Sequence, residues 1–347
     1  MRVLVTGGFG FVGRHVVREL DSLGYDLLTP TSRELNLVHT GQGDVDTLGL
    51  IEDYLVDHDA DAIVHLAATC GGIGINKDNP GKFIYENLQM GINVLEAARI
   101  AKIGKVVNLG TVCAYPKFTE IPFREENLWN GYPEETNAPY GIAKKTVMEM
   151  GIAYSRQYDM NITNLVPANM AGEYDHFDLY SSHVIPALIR KFENPECAFQ
   201  MQPCDCDCHA PNSSIMHCIP CCGADGLVRG PKVKAVRLWG TGSASREFMN
   251  AKDCARAVAI SLEKNTGPEP INLGTGKEIT IFELAMLIKK IGDYDVEISW
   301  DAAKPDGQPR RCIDASRAKE ILGWEAVIPL EQTIQETINW YRNEKKK

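Results

Sequence analysis

Two short stretches combine residue types that can transfer protons. Thr111 and Cys113 stand in 110-GTVCAYPK-117, directly after an apolar KVVN run that predicts a buried strand. Tyr140 and Lys144 are one helical turn apart in YGIAK, so a helix would place them on one face. A nearby ammonium lowers the pKa of a phenol and favours proton transfer near neutral pH. Thr111, Tyr140 and Lys144 therefore predict hydride transfer to or from a carbonyl carbon. Tyr140 would exchange a proton with the carbonyl oxygen, and Thr111 would add a hydrogen bond at the same point.

A glycine turn near the N-terminus predicts a dinucleotide site. The stretch TGGFGFVG (6–13) has glycines at positions 7, 8, 10 and 13, and it joins the apolar RVLV run to an amphipathic run, FVGRHVVREL. Gly7 would permit a tight turn, Gly10 the approach of a pyrophosphate and Gly13 close packing of the helix on the sheet. The N-terminus of that helix would offer backbone N–H donors to the phosphates.

The end of the second predicted strand distinguishes NAD from NADP. NAD sites usually place an acidic residue there to accept a hydrogen bond from the ribose 2′-OH. In LLTPTSRELNL, residues 29–32 include no acid, and Ser32 is followed by Arg33. A hydroxyl beside a guanidinium suits a 2′-phosphate, so we predict NADPH. The alternative is that Arg33 is only a surface cation.

Alternating strands and helices must position these groups. Strands are predicted at 2–5, 25–29, 61–68, 105–110 and 161–166, and helices at 11–20, about 80–102 and 139–158. This βαβ alternation predicts an α/β fold, a doubly wound parallel sheet of the Rossmann type with a smaller C-terminal substrate domain. Predicted domain bounds are 1–169 plus about 245–278 for the cofactor domain, about 170–244 and 279–330 for the substrate domain, and 331–347 for a C-terminal helix and tail.

Composition excludes several classes of protein. The 347 residues carry a formal net charge of −10, which argues against a nucleic-acid binder, since such proteins usually present a basic surface. Apolar runs are too short to span a membrane. The first residues, MRVLVTGG, predict a strand and a turn rather than a signal peptide. We therefore expect a cytoplasmic enzyme without a nucleic-acid or membrane partner.

A cysteine-rich segment, 204-CDCDCHAPNSSIMHCIPCC-222, lies within a predicted insertion at about 197–232. Thiolates and imidazoles at this density suit tetrahedral zinc, and a metal would order a segment with few apolar residues. The alternatives are a surface insertion with reduced thiols or an iron–sulfur cluster. The candidate ligands are Cys204, Cys206, Cys208, His209, His217, Cys218, Cys221 and Cys222.

Long stretches of the chain resemble a known family. They include HLAATCGGIGINKDNPGKFIYEN, LGTVCAYPK, NAPYGIAK, SSHVIPALIRKF, RLWGTGSASREF and KPDGQPRR, besides the glycine turn. With them the chain resembles the extended short-chain dehydrogenases/reductases and, among these, the GDP-L-fucose synthase family. The resemblance implies NADP(H) as cofactor and a GDP-4-keto-6-deoxymannose substrate that is epimerised at C3 and C5 and reduced at C4. It also implies a homodimer formed through the helices at about 80–102 and 139–158.

The resemblance also implies residue roles. Thr111 stands where the family usually has a catalytic Ser, and Tyr140 and Lys144 match the reductase pair. Cys113 and His183 match the thiol and the imidazole that exchange protons in the epimerisations. Substrate contacts are implied for Asn169, Lys191, Trp239, Arg246 and Lys304. Cofactor contacts are implied for Gly7, Gly10, Phe11, Val12, Gly13, Ser32, Arg33, Leu37, Ala67, Ala68, Lys144, Pro167 and Asn169.

Other functions stay open at the level of sequence. The chain departs from the family at Val112 and Ala114, which replace small hydroxyl residues and would reshape the pocket for another GDP-keto sugar, such as a heptose. A GDP-mannose 3,5-epimerase-like enzyme would catalyse no net reduction, and a pure reductase would not use Cys113 and His183. A non-catalytic dinucleotide sensor typically lacks the Tyr140 and Lys144 pair. A metal-binding interaction protein would leave the remaining motifs unexplained.

Overall fold

The computed structural model describes residues 1–38, 46–203, 227–304 and 306–346. Its strands are β1 (Arg2–Thr6), β2 (Asp26–Leu28), β3 (Ala62–His65), β4 (Lys105–Leu109), β5 (Ile162–Pro167), β6 (Asn169–Ala171), β7 (Glu196–Pro203), β8 (Leu227–Trp239), β9 (Ser245–Asn250), β10 (Ile271–Leu273), β11 (Glu278–Thr280) and β12 (Glu297–Asp301). Its α-helices are α1 (Phe11–Ser22), α2 (Thr47–Asp57), α3 (Ile73–Asp78), α4 (Pro80–Ile100), α5 (Ala138–Tyr158), α6 (Val184–Glu193), α7 (Ala251–Glu263), α8 (Ile281–Ile291), α9 (Ser316–Leu322) and α10 (Leu330–Glu344).

A parallel sheet organises the first half of the chain. Its strand order is β10-β5-β4-β3-β1-β2, and every neighbouring pair is parallel. The chain reverses its direction of travel across the sheet beside β1, since β2 lies on one side of β1 and β3 on the other. In doubly wound sheets, ligands bind at the carboxyl ends of the strands next to such a point. The predicted fold class is therefore confirmed, and it places the glycine turn at this crevice.

Two apolar cores cover the two faces of the sheet, as a parallel sheet requires. One core contains Val3, Val5, Val16 and Val258, with α1 and α7 on that face. The other contains Leu4 and Ile63 together with side chains from α2, α4 and α5. Successive residues of β1 thus alternate between the cores, which is the period-two pattern of a strand buried on both sides.

Two smaller sheets follow the parallel sheet. One has the order β11-β9-β6 and the other β12-β8-β7. A third apolar core joins α6, α8 and α10 to these strands and includes Phe192, Leu238 and Ile288. The prediction of a smaller region beside the parallel sheet is therefore confirmed. The residue bounds given for the two domains stay a prediction.

Two expectations meet the limits of the described residues. Within the described ranges, each helix is either too short or too polar to cross a membrane. The eight candidate metal ligands between Cys204 and Cys222 lie outside the described residues. Elsewhere, among described residues, His, Cys, Asp and Glu side chains form no group of three or more suited to a metal ion.

Candidate active site

Thr111 and Cys113 lie just beyond the carboxyl end of β4. There the chain forms one turn of 3₁₀-helix, Val112–Ala114, and the Thr111 hydroxyl accepts a hydrogen bond from the Cys113 N–H at 3.2 Å. A Cβ on Gly141 in α5 would lie 2.4 Å from the Cys113 carbonyl oxygen, so only glycine lets the helix approach this turn. The predicted meeting of the strand end with the YGIAK helix is therefore built into the backbone packing.

The flanking departures have a different role from the one predicted. Val112 and Ala114 are 4 % and 0 % exposed and belong to the core that α1 and α7 cover. The expectation that these two side chains reshape the pocket is wrong, because alternation along the turn sends them into the core.

Tyr140 is partly buried and lies beside Thr111. Burial is the largest cause that raises its pKa well above 10, and the thiols of Cys70 and Cys113 add to the rise. The expectation that Lys144 lowers this pKa is wrong for the ligand-free protein, because the cost of desolvating a phenolate dominates. Tyr140 is therefore protonated at neutral pH, the form that donates a proton to a carbonyl oxygen.

Lys144 is 4 % exposed and donates a hydrogen bond from Nζ to the Leu109 carbonyl oxygen at 3.0 Å. Burial lowers its pKa to about 8. An ammonium group has three protons to donate. Within the described part of the chain, the Leu109 carbonyl oxygen is the one acceptor found for Lys144. The remaining donor capacity is available to a bound ligand at the end of β4.

Cys113 contacts a buried arginine from the far end of the chain. Arg311 is 6 % exposed and points Nη1 at the Cys113 Sγ atom at 3.3 Å. Two further guanidinium nitrogens, Nε and Nη2, bond the Gln308 side-chain oxygen at 3.1 and 3.0 Å. The guanidinium is thereby fixed with one N–H aimed at the sulfur.

His183 stands immediately before α6, as its N-cap residue. Its Nδ1 lies 3.3 Å from Oδ1 of Asp175, a carboxylate that is almost fully buried. Burial opposes protonation of the ring, but the charge of Asp175 and its hydrogen bond outweigh burial and raise the pKa of His183. A raised pKa keeps more of the imidazole in its acid form near neutral pH.

The glycine turn has the geometry of a dinucleotide cradle. Gly7 has φ +72°, and a Cβ there would lie 2.8 Å from the backbone nitrogen of Ala67. A Cβ on Gly13 would lie 2.0 Å from the Gly7 carbonyl oxygen. The neighbouring Gly10 is the N-cap of α1, with no side chain over the first turn. The Gly10 N–H donates to the Gly7 carbonyl oxygen at 3.0 Å, so the N–H groups suited to a pyrophosphate are those of the first turn of α1.

The end of β2 presents a cation without a free neighbouring acid. Arg33 is exposed, and the carboxylate of Glu34 accepts hydrogen bonds from the Thr31 N–H and hydroxyl, each at 2.8 Å. That carboxylate is used within its own turn, so it is not poised for a ribose 2′-OH. The geometry agrees with the prediction of a 2′-phosphate site.

Three of the predicted substrate residues meet at one surface. The Trp239 ring is 50 % exposed, with the ammonium groups of Lys191 and Lys304 at 5.8 and 5.3 Å from its centroid. A cavity of about 530 Å³ lies beside Lys191 and Trp239. An exposed indole next to two cations can stack on a base and neutralise a phosphate.

The other two predicted substrate residues lie elsewhere. Arg246 donates to the carbonyl oxygens of Ser245 and Asp306, and burial first and Arg311 second lower its pKa to about 10. It therefore belongs with Cys113 and Arg311. Asn169 donates its side-chain N–H to the Glu247 carbonyl oxygen at 2.8 Å, so that amide is partly used within the protein.

Sequence reasoning missed two residues of this site, Asp175 and Arg311. Arg311 stands in the KPDGQPRR motif, so the resemblance to the family offered a signal for it. From that motif, the resemblance implied a substrate contact for Lys304 only. Asp175 lies in an irregular stretch between β6 and α6, where no periodicity marks it. The remaining candidates surround the crevice: Ala67 and Ala68 follow β3, Leu37 is buried after β2, and Pro167 ends β5.

Comparison with known proteins gives concordant matches. The sequence matches the NAD dependent epimerase/dehydratase family over residues 3–205 and 212–274. It is 35 % identical over 342 residues to a probable GDP-L-fucose synthase 1 from Oryza sativa subsp. japonica, covering 98 % of this chain and 92 % of that protein.

Two solved structures from Campylobacter jejuni are also similar. One is a GDP-6-OMe-4-keto-L-xylo-heptose reductase, with a TM-score of 0.80 and 26 % identity over 99 % of this chain and 98 % of the other. The second is a GDP-mannoheptose C4 reductase with NADP bound, with a TM-score of 0.76 and 25 % identity over 98 % of each chain.

Proposed function

Because this chain belongs to the NAD dependent epimerase/dehydratase family, we propose that it is an NADPH-dependent epimerase and reductase of a GDP-4-keto sugar. The full-length similarity to a GDP-L-fucose synthase favours conversion of GDP-4-keto-6-deoxymannose to GDP-L-fucose, or of a related GDP-keto sugar such as a heptose. The observation that supports this best is local: a proton-donating phenol and an arginine-bonded thiol lie at the same strand end.

The residues present fit the dinucleotide. The backbone cradle of Gly7, Gly10 and Gly13 suits the pyrophosphate, and Ser32 with Arg33 suits a 2′-phosphate. When bound, NADPH supplies the hydride that reduces the C4 carbonyl carbon. Lys144 would orient the cofactor by its free N–H donors.

Reduction at C4 needs a proton for the developing alkoxide oxygen. Tyr140 is protonated at neutral pH and lies beside Thr111, so its O–H can donate to that oxygen. Lys144, with its pKa lowered to about 8, would return a proton to the phenolate or stabilise it. Thr111 keeps the hydroxyl function that the resemblance assigns to a serine.

Epimerisation needs an acid and a base at carbons next to the ketone. Protons at C3 and C5 become removable when the enolate oxygen is stabilised. Cys113, held by Arg311, is our candidate base, and His183, held by Asp175, is our candidate acid. Lys191, Trp239 and Lys304 would hold the nucleotide end of the substrate.

A second candidate function is C4 reduction without epimerisation. The similarity to two heptose reductases favours it. In that case Tyr140, Lys144 and Thr111 keep their roles, while Cys113 and His183 act only in binding or packing. An epimerase without net reduction is disfavoured by the exposed Arg33 and by the intact Tyr140 and Lys144 pair.

NMR of GDP-4-keto-6-deoxymannose in D₂O, before and after NADPH addition, separates these functions. Deuterium at C3 and C5, followed by NADPH-dependent formation of GDP-fucose, would support the bifunctional enzyme. Reduction without exchange would leave the reductase only. A Cys113→Ser variant should lose exchange, whereas the control Cys254→Ala, which changes a thiol buried in the core at α7, should stay within about twofold of wild type.

NADPH and NADH turnover tests the cofactor assignment. We expect a preference for NADPH that an Arg33→Ala variant reduces, since the guanidinium would lose its contact with the 2′-phosphate. An NADH preference of the wild type would contradict the assignment.

Three further properties stay predictions. A homodimer through α4 and α5 is supported by the exposed Ile92 and Tyr85 on α4, and sedimentation would test it.

Cytoplasmic location is an expectation from sequence. Structural zinc between Cys204 and Cys222 is tested by metal analysis of the purified protein, where absence of bound zinc or iron would rule it out.

A further inference from the structure

A buried carboxylate faces the candidate acid. Asp175 is 4 % exposed, and its Oδ1 accepts a hydrogen bond from the His176 N–H at 2.7 Å in addition to facing Nδ1 of His183. Within the described residues, its Oδ2 has no hydrogen-bond partner. A carboxylate is costly to bury unless it is paired, and the His183 ring is the side chain that pairs with it here.

Two loops that pack against each other hold this pair in place. The Gly72 N–H donates to the Ser181 carbonyl oxygen at 2.8 Å, and a Cβ on Gly72 would lie 2.6 Å from the Ser182 carbonyl oxygen. Asn76 closes the first loop by donating to the carbonyl oxygens of Gly71 and Gly72 at 2.7 and 3.0 Å. His183 therefore follows a segment that is fixed by backbone contacts, with no room for a side chain at Gly72.

The same two loops contain most of the unpaired buried polar atoms found in the described chain. Asn76 Oδ1, Ser182 Oγ and Asp175 Oδ2 are three of five such atoms. Buried polar groups without partners are rare, and their concentration in one place marks a site kept for its chemistry rather than for stability.

We infer that Asp175 is a positioning residue for the epimerisation proposed above: its carboxylate occupies the Nδ1–H of His183, so that Nε2 is the nitrogen left to exchange a proton with the sugar. The inference rests on His183 acting as the acid of the proposed function. In the step, the Nε2–H bond breaks as the new C–H bond forms on the enolate carbon. The ring returns to its neutral form, with its Nδ1–H still held by the Asp175 carboxylate.

Other titratable groups lie around the pair. Cys70 faces Asp175 from the loop after β3, and desolvation first and this carboxylate second raise the pKa of its thiol. The His176 ring contacts Ser181 Oγ through Nε2 at 2.8 Å rather than the carboxylate. Asp178 bonds the N–H groups of Tyr180 and Ser181 in the same loop. Asp175 is thus the acid found in direct contact with the His183 ring.

The first test needs no substrate. Histidine ¹⁵N NMR of the wild-type protein, with the His183 signals assigned by a His183→Gln variant, should show the neutral ring protonated at Nδ1 and a titration midpoint above that of a free histidine. An Nε2–H tautomer would overturn the inference. The tautomer can be measured even if the wild type exchanges no deuterium into any sugar. A failure of the proposed epimerisation is therefore distinguishable from a failure of the inference about Asp175.

Matched variants give the second test. Asp175→Asn should lower the His183 titration midpoint and slow deuterium exchange by at least about tenfold, with the pH profile of exchange moving alongside the midpoint. Asp178→Asn changes the same loop without touching the ring, and both quantities should stay at wild-type values. An unchanged midpoint in Asp175→Asn, or equal shifts in both variants, would overturn the inference.

Discussion

Two buried lysines donate hydrogen bonds at opposite ends of the central strand β4, and they differ in how many acceptors surround them. Lys105, at the amino end, donates to Asn161 Oδ1, Thr163 Oγ1 and the Lys264 carbonyl oxygen, each at 2.8 Å. Lys144, near the carboxyl end, donates to the Leu109 carbonyl oxygen. Burial lowers the pKa of each to about 8.

A similar pKa therefore does not identify function in this protein. The three donors of Lys105 are matched by three protein acceptors, so nothing remains for a ligand. Lys144 has unused donors on the edge of the sheet where ligands of doubly wound folds bind. Hydrogen-bond satisfaction, together with the end of the strand, separates a structural lysine from a catalytic one.

The largest effect is expected at Lys144. Replacing it in Lys144→Met removes a donor aimed at the reacting groups, and turnover should fall by about 10²–10³-fold. Stability should change little or rise, because a buried charge with one protein acceptor is lost. Steady-state kinetics and urea unfolding of the same samples measure both. Wild-type turnover in this variant would show that Lys144 is structural.

The reverse result is expected at Lys105. Lys105→Met removes three hydrogen bonds from a buried side chain, so the free energy of unfolding should fall by about 1–3 kcal/mol. Turnover measured well below the unfolding temperature should match wild type. Urea unfolding provides the stability value, and a variant that loses turnover while keeping its stability would break the distinction between the two ends of β4.

A smaller contrast is expected between two adjacent arginines. Arg311 contacts Cys113 Sγ and is buried, whereas Arg310 pairs with Glu278 at the surface. Arg311→Met should slow deuterium exchange at the sugar about tenfold, since a hydrogen bond to a charged group is worth roughly that factor. Arg310→Met is the control and should stay within about twofold. Equal exchange rates in both variants would remove Arg311 from the site.

Local patterns predicted the parts of this site that lie close together in sequence. The Gly7 to Gly13 turn is dictated by backbone approach, and Tyr140 and Lys144 share a face because of helix geometry. Thr111 and Cys113 follow a strand whose apolar run is unmistakable. The parallel sheet and its two covered faces follow from the same alternation of elements.

The remaining parts depend on three-dimensional packing that no local pattern encodes. Arg311 reaches Cys113 across 198 residues of sequence. Asp175 lies eight residues from His183, but in an irregular loop without periodicity. The pKa of Tyr140 was predicted in the wrong direction because spacing reports the distance to Lys144 and not the desolvation of the phenol.

The smallest effect concerns the pH dependence of stability, and it isolates Lys105. Its pKa is about 8 in the folded protein and 10.5 in its unperturbed state, so the unfolded chain binds more protons between these values. Stability should therefore rise with pH across this window, by roughly 1.5 kcal/mol between pH 8 and 9.5 for this group. Urea unfolding of wild type and Lys105→Met at both pH values gives the change in unfolding free energy with pH for each protein. The contributions of other titrating groups cancel when the two changes are subtracted. Because Lys105→Met lacks the group, its curve should rise less than that of the wild type. Parallel curves would mean that Lys105 keeps its proton in the folded protein, and that its three acceptors outweigh the cost of burial.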